Sequence, residues 1–335
     1  MAMTTCNPRA RRHIMAWLRK WPASAWVCLA LFVVCVIAVP RFGTCGNIFN
    51  LARVLALLLL VAIGQGLVIV VRGLDFSVGS GVALFSVVAV LSMPAIGVGG
   101  AFAAGALAVL ALGVLNGTLV GVLRIPAFLA TLGTMIAVHG LCGVLVGGVP
   151  LDAPSSVDFS ALGRGQWLGL PLPLWLAGAA LLVVGALTRY TAPGREWYLV
   201  GSNPEAAHLA GIAVKPRVLQ AYLANAVLVA IAGAVLTSRL GSGQPNLYPN
   251  LPFEAIAACA IGGIPLTGGK GGPLHALFGC LILAMVGNAL VLVNFPSYIQ
   301  SVLLGVLILA AVLLQQLRGR SLRARPLPSL PANAS

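Results

Sequence analysis

The chain has 335 residues, 60% of them hydrophobic and 8% charged, with 40 glycines and a formal net charge of +14. A mean hydropathy of +1.03 excludes an ordinary soluble domain and points to helices in lipid, where glycine lets backbones approach closely. The basic residues lie at the ends of apolar runs and form no continuous face, which excludes nucleic acid as the expected partner.

A basic stretch from Arg9 to Lys20 precedes the first apolar run, 23–39. That run is longer than a signal-peptide core and is followed by Pro40 and Arg41, so it reads as an uncleaved first span. Further runs long enough to cross a bilayer are predicted at 54–71, 80–98, 100–120, 126–148, 167–187, 218–240, 253–269, 273–293 and 298–316. The fold class is therefore an all-α polytopic membrane protein of about ten transmembrane helices, with N- and C-termini cytoplasmic. This topology puts 16 of the 20 Lys and Arg residues inside and leaves Arg41, Arg53, Arg164 and Arg239 outside. Residues 1–22 are then a cytoplasmic tail, 23–317 the transmembrane domain and 188–217 a cytoplasmic loop within it. Residues 318–335, with three prolines, are a second tail expected to be disordered. Outer loops fall at 149–166, with Asp152 and Asp158, and at 241–252, rich in Gly, Pro and Asn.

Catalysis has little to stand on. The six acids and four histidines are scattered, with no H-E-x-x-H pattern, so neither a catalytic nor a metal site is expected. Of the seven cysteines none forms a C-x-x-C pair and five lie in apolar runs, as small buried hydrophobes do. The glycines around Lys270 fail as a phosphate loop: Ile264 stands where the first glycine belongs and Gly271 where a Ser or Thr belongs.

Asp75 lies between two apolar runs, with Arg72 close by. It reads either as a polar joint that breaks a span near a translocation path, or as a cap shared with Ser77 and neutralised by Arg72. Arg239 and Glu254 bracket the 241–252 loop, as a gate or as anchors of helix ends. Residues 201–212 are a polar, helix-capable island. Asn203 caps the helix, Pro204 suits its first turn, Glu205 favours its positive end and Gly211 closes it in a left-handed turn. Ala207, flanked by Glu205 and Leu209, is expected on its exposed surface.

Three stretches carry a resemblance. Gly73-Leu74-Asp75-Phe76-Ser77-Val78-Gly79-Ser80 resembles a G-[IL]-D-[LF]-S-V-G-S signature, and 125–135 resembles P-P-F-I-x-T-L-G-T-M. Residues 201–212 are similar to G-x-N-P-E-A-A-x-L-[SA]-G-I, and Ser238 to Asn246 and Gly262 to Gly271 continue the match. Together they resemble the ribose-type permeases of bacterial ABC sugar importers, over roughly 45–316. Phe76, Pro265 and Lys270 depart from that pattern, and none of them removes a motif.

The resemblance implies a multi-pass inner-membrane permease working as a dimer with a second permease copy. It also implies cytoplasmic ATPase subunits that bind the ATP and Mg, and a periplasmic solute-binding protein; the chain itself binds no cofactor. Asn203, Pro204, Glu205, Ala206, Ala207, Leu209 and Gly211 inherit a role in docking to the ATPase. Asp75, Ser77, Gly79, Thr131 and Gly133 fall in motifs near the translocation path. A monosaccharide is the expected cargo. The alternatives are a permease for branched-chain amino acids or another small polar solute, and a secondary transporter, for which only Asp75 and Glu254 offer an intramembrane carboxylate.

Overall fold

The computed structural model describes residues 22–154 and 158–296, and 298–313 apart from 304, 307–308 and 311–312. The tail assignments at 1–21 and 318–335 lie outside the described residues. In chain order the helices are α1 (Ala23–Ala38), α2 (Cys45–Val70), α3 (Val78–Gly121), α4 (Ala127–Val146), α5 (Ala161–Arg164), α6 (Leu172–Tyr190) and α7 (Ala192–Ser202). They continue with α8 (Pro204–Leu209), α9 (Val214–Leu240), α10 (Leu251–Gly262) and α11 (Pro273–Leu292). Short strands β1 (Leu151–Asp152), β2 (Gln166–Trp167), β3 (Leu170–Pro171) and β4 (Ser242–Gly243) form two small antiparallel ribbons, β1 with β4 and β2 with β3. Among the described residues six helices are long and apolar enough to cross a membrane; α1 and α10 are shorter apolar helices.

α2 is apolar on every side, and a helix of that kind belongs in the interior. It is the central helix, fully buried from Leu55 to Val70, with α6, α9, α10 and α11 packed around it. α3 is a hairpin. Gly97 adopts φ 68° and ψ 177°, a conformation open to glycine, and the chain reverses there. Phe85 then meets Phe102 edge-on at 5.5 Å, and Asn116 donates to Ser77 at 2.8 Å. The two arms, 78–96 and 98–121, match the two runs read from the sequence, and α9 packs along both.

Two expectations need correction. The run 253–269 is not one span: α10 ends at Gly262, in a left-handed turn at Gly263, and the glycine-rich segment beyond it returns to α2, where Gly269 N–H donates to the Val70 carbonyl at 2.9 Å. Nor is 241–252 a simple outer loop. Gln244 N–H donates to the Ser86 hydroxyl at 3.2 Å, and Tyr248 and Pro252 pack on Gly79 in the first turn of α3. The segment therefore folds back along the first arm of the hairpin and starts α10 inside the bundle. The cysteines follow expectation: Cys28, Cys35, Cys142, Cys259 and Cys280 are buried and unbridged, while Cys45 is exposed.

Candidate functional site

Between α2 and α3 the chain leaves helical geometry over 71–77, and its polar groups must find partners away from water. Asp75 supplies them. One carboxylate oxygen accepts from Ser77 N–H at 2.9 Å and from the Ser77 hydroxyl at 2.6 Å; the other accepts from the Asn225 amide at 2.9 Å. Asn116 bridges Ser77 to the Thr134 hydroxyl, both at 2.8 Å. Thr131 accepts from Phe76 N–H at 3.2 Å, and Tyr222 donates to the Leu74 carbonyl at 3.1 Å. In the amide orientation that satisfies both groups, Gln65 donates to the Asp75 carbonyl and accepts from the Asp75 N–H, each at 3.1 Å. Gln65, Asp75, Ser77, Asn116, Thr131 and Asn225 are all buried. This is a closed polar knot joining α2, both arms of α3, α4 and α9.

Asp75 and Ser77 thus share one cluster with Thr131, and Gly79 lies two residues on, against the fold-back segment. Gly133 does not join them: it is exposed and a Cβ there would meet nothing within 4 Å. Gln65, Asn116, Thr134, Tyr222 and Asn225 are knot members that a search for acids and histidines passes over. Their signal was present, because an amide inside an apolar run is costly unless it has a task.

Arg72 does not neutralise Asp75. Its backbone sits at φ +65°, which turns the side chain out towards the end of α7. There its Nε donates to the Gly201 carbonyl at 2.6 Å and an Nη to the Ser202 carbonyl at 2.5 Å, two acceptors left free at a helix C-terminus. Gly201 packs so tightly on the Val70 carbonyl and Gly269 that any side chain would collide. A second clamp is the Arg217–Glu196 ion pair at 2.6 Å, which ties α7 to α9. Arg72→Ala is therefore expected to raise amide hydrogen exchange across 199–206 while leaving α2 protected. Unchanged exchange in that segment contradicts the clamp.

Ser202 leads directly into α8. The Asn203 side chain accepts from Glu205 N–H at 3.0 Å and Ala206 N–H at 3.1 Å, with Pro204 in the first turn. At the other end Gly211, at φ +82°, donates to the His208 carbonyl while Ile212 N–H reaches the Ala207 carbonyl, both at 3.0 Å. That pair of bonds is a Schellman closure. The helix is six residues long and capped at both ends, so its start and stop are fixed within the segment itself. Ala207 corrects the expectation from sequence: it is 4% exposed and faces the protein, whereas Leu209 is 87% exposed. Glu205, Ala206 and His208 are exposed with it. Beside α8 lies a concavity of about 500 Å³ lined by Arg124, Pro204, Glu205, His208, Val214 and Lys215, among others.

Residues 47–312 match the family model described as the permease component of the branched-chain amino acid transport system. The chain belongs to this permease family. The permease is also 34% identical to the ribose import permease of Escherichia coli K12, covering 93% of this chain and 98% of that one. It is 35% identical to the L-arabinose transport system permease of the same strain (96% and 99%) and 37% identical to the ribose import permease of Bacillus subtilis 168 (86% and 91%). The match takes in the polar knot, the α7–α8 unit and the fold-back segment alike.

Proposed function

We propose that this chain is the membrane permease subunit of an ATP-driven importer of a monosaccharide, with a separate ATPase on its cytoplasmic face and a periplasmic binding protein delivering the solute. The observation that carries this reading is the likeness to ribose and L-arabinose permeases over nearly the whole chain. In this reading α8 is the coupling element. Leu209, Glu205 and Ala206 face the ATPase, while Asn203, Pro204, Ala207 and Gly211 hold the helix in shape and against the body. The clamps from Arg72 and Arg217 pass its movement to α2 and α9, and the knot around Asp75 keeps the broken joint rigid. In this reading the chain crosses ten times with cytoplasmic termini, through α1, α2, the two arms of α3, α4, α6, α9, the fold-back segment 242–250 together with the short α10, α11 and the segment from 298. Two copies form the membrane unit, in the inner membrane. The family model's description favours a branched-chain amino acid as a second reading of the cargo.

Two experiments test this. A cysteine at Ser202 should react only from the cytoplasm and one at Leu168, 74% exposed in the opposite loop, only from outside. Reaction of both from one side contradicts the ten-span topology. Purification of the tagged permease from native membranes should bring an ATP-hydrolysing subunit with it, and its consistent absence contradicts the ATP-driven reading.

A further inference from the structure

A cavity of about 450 Å³ opens on the side of the bundle away from α8. Asn50 of α2, Arg239 at the end of α9, Tyr248 and Asn250 of the fold-back segment, Glu254 of α10 and Asn288 of α11 all line it. The gathering is out of proportion to the composition, since the whole chain has six acids and 8% charged residues. Polar groups at membrane depth face the bundle interior or water, because lipid cannot solvate them. Irregular backbone at that depth is likewise tolerated where it lines an aqueous cavity, and Tyr248 and Asn250 of the fold-back segment do so here. Among the described residues, neither oxygen of the Glu254 carboxylate has a hydrogen-bond or ion-pair partner, and Arg239 is not paired with it. The knot around Asp75 is the reverse case, its carboxylate spent on Ser77 and Asn225. The knot is sealed; the cavity is open.

We propose that this cavity is a passage site for a neutral polyhydroxylated solute, with the Glu254 carboxylate accepting a hydroxyl of the solute and the amides of Asn50 and Asn250 contacting others, while Asn288 is held in a reciprocal amide pair with Asn47 at 2.8 and 2.9 Å. One acid and one base give the site no net charge, and the carboxamides of Asn50 and Asn250 and the phenol of Tyr248 are groups that both donate and accept, which is the pattern a polyol presents in return. The volume lies within the range of small-molecule sites. The proposal rests on the reading of the chain as a sugar permease and assigns the path within it.

The test uses the permease reconstituted with its ATPase and binding protein, following ATP hydrolysis and uptake of labelled pentose together. Glu254→Leu is expected to keep hydrolysis stimulated by the loaded binding protein but to lower uptake about tenfold or more, as loss of one hydrogen bond to a charged group does. Glu254→Gln keeps an acceptor oxygen and should retain a substantial share of uptake. Wild-type uptake by Glu254→Leu overturns the proposal, and because ATP-dependent uptake then still occurs, the permease reading survives. Equal loss in Glu254→Gln and Glu254→Leu overturns the polyol chemistry and points to a charged or zwitterionic solute. If Glu254→Leu does not fold, Asn50→Cys in a Cys45→Ser background serves instead. Modification of the folded protein by a hydrophilic thiol reagent should block uptake, and full uptake after complete modification overturns the assignment.

Discussion

Asp75→Leu is expected to remove most of the folded permease from the membrane, while Asp75→Asn leaves it close to normal. Leucine strands the Ser77 N–H, the Ser77 hydroxyl and the Asn225 amide in a dry site. Each buried donor left without a partner costs about 1–3 kcal/mol, a large share of a total stability of roughly 5–15 kcal/mol. Asparagine is different because of its neighbour. The Asn225 side-chain oxygen is buried and has no partner, so turning that amide over gives the new NH₂ an acceptor while Ser77 keeps its own. Fluorescence-detected size exclusion before and after heating reads both variants. An Asp75→Leu protein as abundant and heat-resistant as wild type contradicts the structural role of the knot, and an Asp75→Asn protein that is folded yet transports nothing shows that Asp75 serves the path directly.

Leu209→Arg should produce the opposite phenotype, a well-folded permease that has lost its motor. Leu209 is 87% exposed on a helix outside the spans, so a charge there disturbs no internal packing. An apolar anchor at the centre of an interface is worth about 2 kcal/mol or more, so retention of the ATPase and uptake should both fall about tenfold or more. Ala207→Arg fails by another route. Ala207 is 4% exposed, and a guanidinium forced into that contact should lower the amount of folded protein itself. Parallel measurement of abundance, bound ATPase and uptake separates the two. Normal ATPase retention by Leu209→Arg contradicts the coupling assignment.

The helices were legible because their signal is local. Each apolar run from 23 to 316 contains a helix where residues are described, although 167–171 forms the β2–β3 ribbon and 263–269 is irregular, and the break between the third and fourth sits at Gly97, whose backbone no run of hydrophobicity encodes but whose residue type permits the turn. The caps of α8 were legible for the same reason, since Asn203, Pro204 and Gly211 act within one turn of themselves. What escaped is what depends on packing. Asn225 meets Asp75 from 150 positions away, and nothing in either neighbourhood announces the pair. Arg72 and Asp75 look like partners three residues apart, yet the positive φ at Arg72 sends its guanidinium to Gly201 and Ser202. Residues 242–250 read as a loop because their composition is that of a loop; that they fold back beside Gly79 follows from bonds to Ser86 far away in the chain. In a helix as short as α8, the period cannot tell Ala207 from Leu209 as the inward side, and burial of Ala207 against the body decides it.

The most direct test is uptake of labelled ribose and arabinose into proteoliposomes holding the permease, with the ATPase and the loaded binding protein supplied or withheld. Uptake is expected only when ATPase, ATP and binding protein are all present, and it should persist after ion gradients are collapsed with ionophores. Uptake by the permease alone that disappears with the gradients would contradict the ATP-driven reading and make the protein a secondary transporter.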